Sequence, residues 1–153
     1  MITIESKTNF PARLLERAAK TVLEHQSASP DSDLTIVLTD DKRIRELNRD
    51  YLGIDVPTDV LSFPASETDG SEIDPETGFP YLGDILISLP YAAKSAAKAG
   101  HPLEAEVQLL VVHGVLHLLG HDHAKAREKA RMWKAQAEIL QALGLGDVKI
   151  REE

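Results

Sequence analysis

The chain has no cysteine among its 153 residues, which excludes disulfides, thiolate ligands and cysteine nucleophiles. Any transition metal must then be held by imidazoles and carboxylates, and the composition fits a reducing cytoplasm. The N-terminus, Met1-Ile2-Thr3-Ile4-Glu5, has no basic region followed by an apolar one, so no secretory leader is expected. Long apolar runs are also missing. The most apolar stretch, Val107 to Leu119, is thirteen residues with polar interruptions, too short to span a membrane and better read as a buried core helix. An excess of positive charge is absent too. The formal charge is −8, which argues against a protein that coats nucleic acid non-specifically. There is no H-E-x-x-H, no Gly-rich phosphate loop, no G-x-S-x-G, no internal repeat and no low-complexity tract.

What is present is ordinary in bulk and uneven in detail. Hydrophobic residues make up 42% and charged residues 27%, as in a soluble globular protein. The length predicts a single domain over residues 1–153 with a substantial core. Glu67, Asp69, Glu72, Asp74 and Glu76 crowd one stretch. Lys42, Arg43, Arg45 and Arg49 form a basic run, and Lys125, Arg127, Lys129, Arg131 and Lys134 form another. Such runs are usually solvated helix faces, with a nucleic-acid footprint as the alternative.

Hydrophobic periodicity places the elements. Ile2 and Ile4 alternate with polar neighbours as a short strand. Asn9-Phe10-Pro11 opens a helix, Asn9 as cap, with Leu14, Leu15, Ala18, Ala19, Val22 and Leu23 as its stripe. His25, at the end of that helix, is expected at the surface. Leu34 to Thr39 is a strand. Thr39-Asp40 can cap a second helix carrying Ile44, Leu47 and Tyr51, which Gly53 closes. Pro57 to Pro64 reads as a strand bracketed by prolines, suited to a sheet edge. Residues 65–82 are a polar, acidic loop, either a lid or ordered surface. Leu82 to Ser88 is a strand, and Leu89 to Ala99 a helix ending at Gly100. A central helix follows from Pro102, apolar nearly all round, with Glu104 and Glu106 complementing its positive first turn. Gly114 inside it is expected to leave room for another backbone or a substrate. The last helix runs to Gly144 with Ala126, Ala130, Trp133, Ala137 and Leu140 at helical spacing, and Met132 and Trp133 read as core. The expected fold is α+β: a small mixed sheet of about four strands, about five helices, and a central buried helix carrying the site.

That site is the stretch from His113 to His123, which holds four of the six histidines. His113 and His117 are four apart and share a helix face. Gly120 suits a left-handed C-terminal cap, and His123, three residues on, can return to the first two rings. A lone buried histidine is usually a hydrogen-bonded core residue. Three at H-x3-H-x5-H spacing around a helix stop form a metal-site pattern, one that suits zinc with an open fourth position. His121 is the alternative third ligand. Asp122 is expected to orient an imidazole, with proton acceptor as its second possible role. The metzincin proteases share this spacing, but they carry a glutamate base where this chain has Gly114, which disfavours their mechanism. Hydrolysis remains available, because such a zinc ion lowers the pKa of its water towards ~7.

The stretch His113-Gly114-Val115-Leu116-His117-Leu118-Leu119-Gly120-His121-Asp122-His123, with Pro57-Thr58-Asp59-Val60-Leu61-Ser62-Phe63-Pro64 and Leu82-Gly83-Asp84-Ile85-Leu86-Ile87-Ser88, resembles the signature of the YbeY family of metal-dependent, single-strand-specific endoribonucleases. The three motifs stand in family order on a chain of family length. The resemblance implies one Zn²⁺ per chain on His113, His117 and His123, and a cytoplasmic protein. It also implies a role in maturing the 3′ end of small-subunit ribosomal RNA and in ribosome quality control. Implied partners are single-stranded RNA, ribosomal RNA or the small ribosomal subunit, and no membrane. One departure stands out. The family pattern commonly has an arginine after the aromatic residue ahead of the second motif, thought to engage RNA, whereas Tyr51 is followed here by Leu52. Arg49 or Arg45 is the alternative source of that charge. Two further readings compete: a ribosome-biogenesis binding protein with a structural metal, and a metzincin-like metallohydrolase acting on peptides.

Overall fold

The computed structural model describes residues 1–65, 78 and 80–148. The acidic cluster from Glu67 to Glu76, and with it most of the loop expected over 65–82, lies outside the described residues. The elements run β1 (Ile2–Glu5), α1 (Ala12–His25), β2 (Asp33–Thr39), α2 (Asp41–Leu52), β3 (Val60–Pro64), β4 (Tyr81–Ser88), α3 (Leu89–Ala99), α4 (Leu103–Leu118) and α5 (Ala126–Ala142). They form an α+β fold on a four-stranded mixed sheet of order β1-β2-β4-β3. Strands β1, β2 and β4 are parallel, and β3 runs antiparallel to β4. The proline-bracketed β3 takes an edge, where missing ladder donors cost least.

Alternation decides which face of the sheet is covered. Leu34, Ile36 and Leu38 of β2 are buried while Thr35, Val37 and Thr39 between them are only half-buried. Register sets Ile36 beside Ile85 and Leu38 beside Ile87, so the apolar side chains form one continuous face. Helix α4 lies on that face, flanked by α1, α3 and α5, and is buried along most of its length. Two glycines let it sit close. At Gly83, φ is +137°, and a Cβ would stand 2.3 Å from the Phe63 carbonyl oxygen and 3.0 Å from Leu118 Cδ2. At Gly114 a Cβ would meet Ile85 Cγ2 at 2.9 Å. The expectation of a backbone or substrate beside Gly114 is therefore corrected: its neighbour is the Ile85 side chain, because residue 114 faces the sheet.

Other local expectations also change. Helix α1 starts after Pro11 with no side-chain cap, so Asn9 does not cap it, and Thr8 Oγ1 instead accepts the Phe10 N–H at 3.3 Å. Asp40 caps α2 through the Arg43 N–H as expected. Tyr51 is not on the buried stripe of that helix; it is 69% exposed, and Asn48 is buried in its place. In α5 the buried residues are Met132, Ala135, Gln136, Ile139 and Leu140. Ala126, Ala130 and Ala137 are exposed, so the buried face is turned from the expected one. Small alanines fit either phase, and the large Met132 and Ile139 decide it. Glu106 stands in the first turn of α4 as expected, but fully buried, with His101 3.6 Å away.

Candidate metal centre

The end of α4 is built to bring its histidines together. His113 and His117 lie one turn apart, and Leu119 caps the helix. The Gly120 N–H then donates to the His117 carbonyl (3.0 Å) and the His121 N–H to that of Leu116 (3.0 Å). With Gly120 at φ +97°, this is a Schellman stop. It reverses the chain, so that His123 returns over the rings it follows. Its ring centroid lies 5.7 Å from that of His113 and 5.3 Å from that of His117. One nitrogen from each of the three imidazoles falls within 4.8 Å of the others.

These residues fit a metal ion. His113 Nε2 and His117 Nε2 are 3.0 Å apart, near the roughly 3.3 Å edge that tetrahedral nitrogen ligands at ~2.0 Å define. His113 Nδ1 lies 3.0 Å from Gln136 Oε1. An amide oxygen only accepts, so Nδ1 carries the proton and Nε2 keeps its lone pair for a metal. Burial lowers the His113 pKa first, and Gln136 partly opposes it. The pKa of His117 is lowered from 6.5 to about 4, by burial first and then by the neighbouring His113 and His123 rings. Both rings are therefore neutral near pH 7, the state a ligand requires.

The structure separates the remaining candidates. His121 points away and donates to Gln26 Oε1 at 2.6 Å, so His123 and not His121 completes the cluster. Asp122 is exposed, and its Oδ1 accepts the His123 backbone N–H at 2.7 Å. The expected imidazole-orienting role of Asp122 is thus corrected, and for His113 it falls to Gln136, on α5. Sequence reasoning missed Gln136, which the expected phase of α5 left off its buried stripe. Trp133 is half-buried rather than core, edge-on to the His113 and His123 rings at 6.3 and 5.8 Å. His25 is exposed, as expected, and pairs with Glu138 at 3.2 Å.

The three histidines open on a cleft of about 510 Å³ along β3, the edge strand among the described residues. Its other wall carries Tyr51, Leu52 and Phe63. Asp59 also lines it, 1% exposed. Its Oδ1 accepts the Val60 N–H at 2.8 Å, and its Oδ2 has no hydrogen-bond partner among the described residues. The charge of Asp59 favours positive charge at His113. A larger cleft of about 800 Å³, bounded by Glu5, Lys7, Thr39, Leu89 and Leu103, is mainly apolar and contains no imidazole. The convergent imidazoles lie in the smaller one. Arg45 and Arg49, the alternative cations of the sequence reading, are exposed and paired with Asp55 (2.8 Å) and Asp50 (3.0 Å). No helix of the described residues is long and apolar enough to cross a membrane.

An α+β fold that delivers three convergent imidazoles from one helix end and its return loop defines a candidate metallohydrolase. Comparison with known proteins is more specific. The family described as Endoribonuclease YbeY matches residues 2–144, and the chain belongs to that family. It is 47% identical over 136 residues to "Endoribonuclease YbeY" of Shouchella clausii, covering 83% of this chain and 84% of that one. It is 43% identical over 148 residues to the Brevibacillus brevis protein of the same name, covering 92% and 89%. The solution structure of TM1509 from Thermotoga maritima superposes with a TM-score of 0.63 at 25% identity, over 99% of this chain and 97% of that one.

Proposed function

We propose that the protein is a zinc-dependent endoribonuclease specific for single-stranded RNA. It acts in the cytoplasm on the 3′ end of small-subunit ribosomal RNA and in ribosome quality control. The observation that carries the catalytic part is the convergence of His113, His117 and His123 at the floor of an open cleft. The names of its relatives support the substrate class. Held by these three imidazoles, a zinc ion supplies Lewis acidity toward a phosphoryl oxygen and makes water a usable nucleophile near neutral pH. Gln136 holds the His113 ring in the tautomer that presents Nε2. Trp133 shields two of the rings from one side, which strengthens electrostatic interactions at the site. Asp59 supplies negative charge close to the imidazoles, which favours a cation there.

The test is elemental analysis of the purified protein beside cleavage of single-stranded ribosomal RNA. His117→Ala is expected to lose both the metal and the cleavage. A metal-free His117→Ala protein that cuts as fast as wild type would show that the centre is not catalytic. Binding of ribosomal subunits without cleavage by the fully metallated protein would favour a binding protein with a structural metal.

A further inference from the structure

Four of the five exposed large hydrophobic side chains among the described residues fall between Tyr51 and Val56, beside the metal cleft. Tyr51 is 69% exposed, the next residue Leu52 58%, and Ile54 50%. The Tyr51 ring is nevertheless positioned, packed edge-on against Phe63 with centroids 5.6 Å apart and planes at 65°. Both aromatics line the cleft that holds the three histidines. An exposed apolar patch continuous with a reactive centre marks a contact surface. We infer that Tyr51, supported by Phe63, is a stacking platform for an unpaired base of the RNA strand whose phosphodiester lies at the histidines. This inference rests on the endoribonuclease reading and adds the subsite that selects single strands.

Electrostatics favour a base over a phosphate as the occupant. Among the described residues lining this cleft there is no lysine or arginine, and Asp59 is acidic. The arginines of α2 nearest in sequence, Arg45 and Arg49, already face Asp55 and Asp50. A wall without cations gives little to a phosphate backbone, whose binding draws on Lys and Arg. A positioned aromatic ring gives a π-face to any base. In a duplex those faces are stacked inside, so only a strand with unpaired bases can use this wall. Stacking also tolerates any base, so the subsite selects strandedness and not sequence.

The experiment uses zinc-loaded full-length protein and single-stranded RNA oligonucleotides carrying 2-aminopurine, whose fluorescence is quenched on stacking. Quenching is read after rapid mixing, before cleavage, and the KM is measured on the same oligonucleotides. Tyr51→Ala is expected to abolish the quenching and weaken binding roughly 5- to 150-fold, the range for one stacked base, with the zinc content unchanged. The loss should be the same at low and high salt, unlike that of a phosphate contact. Tyr51→Phe and Tyr51→Trp should restore binding, and Val56→Ser, an exposed apolar position outside the cleft lining, should leave it as in wild type. A Tyr51→Ala protein with wild-type quenching and KM overturns the platform while leaving the nuclease reading standing. A wild-type protein that quenches but never cuts supports the platform and refutes the nuclease reading.

Discussion

Replacing Gln136 by leucine removes the group that holds the His113 Nδ1–H while keeping the side-chain volume. In the folded protein Gln136 is 1% exposed, its Oε1 is 3.0 Å from His113 Nδ1, and its Nε2 has no partner among the described residues. Two opposing terms then act on stability. Loss of the hydrogen bond costs about 0.5–1.5 kcal/mol net, more to the extent that the ring N–H is left dry. Removing an unsatisfied buried amide N–H returns about 1–3 kcal/mol. The two largely offset, so the metal-free variant should lie between about 0.5 kcal/mol less stable and about 2.5 kcal/mol more stable than wild type. Metal binding has no such compensation. The ring loses the partner that fixes its tautomer and raises its basicity, and affinity should fall about 10- to 100-fold, equivalent to about 1.4–2.7 kcal/mol. The assay is zinc competition against a chelator of known affinity, with urea unfolding of the metal-free proteins alongside. Gln136→Glu supplies a stronger acceptor and should bind zinc at least as tightly as wild type. Wild-type zinc affinity in Gln136→Leu would refute the orienting role.

Two further outcomes follow from the same geometry. Gly114→Ala places a Cβ 2.9 Å from the Cγ2 methyl of Ile85, and Ile85 is fully buried and branched at Cβ, so that methyl has little room to turn away. Overpacking of about 1–3 kcal/mol exceeds or matches the ~1 kcal/mol gained in helix propensity, so urea unfolding should show a net loss, partly relieved by Ile85→Val; a stabilised Gly114→Ala would contradict the packing. Metal-free protein should also lose stability as pH falls. The His117 pKa is lowered from 6.5 to about 4, so between those values the unfolded chain takes up a proton that the folded one refuses. Unfolding midpoints of chelator-treated protein should fall across that window and level off above it, with a shallower fall in His117→Gln. Equal slopes in the two proteins would refute the assignment to His117.

Periodicity made the order and type of the elements legible, because the sheet and α4 are strongly apolar where they are buried. Side-chain packing decided the rest. The phase of α5 could not be read from an alanine-rich helix in which several faces are equally small. The exposure of Tyr51 could not be read from spacing, since an aromatic residue at a helix end suits the core as well as a cleft rim. In the site, the three histidines were legible because two share a helix face and a glycine stop returns the third. Their support was not. Gln136 lies 23 residues beyond His113, and only the packing of α5 against α4 brings the two together. Asp122, adjacent in sequence, turns its carboxylate to a backbone N–H instead.

Position 114 bears directly on the choice between a nuclease and a metzincin-like protease. From sequence, the objection to the protease was a missing base, since Gly114 occupies the position of the glutamate in that motif. The fold adds a steric objection. Residue 114 lies on the side of α4 that rests against β4, and its missing Cβ points at Ile85. A glutamate there would have to displace a fully buried isoleucine before its carboxylate could turn toward the histidines. Packing therefore requires a small residue at 114: the glycine lets α4 lie close enough to the sheet for its carbonyl to come within 3.5 Å of Ser62 Oγ on β3. That contact ties the histidine helix to the edge strand, which lines the cleft beside the histidines. The feature that excludes a metzincin base is thus also one that holds the two sides of the metal cleft in register.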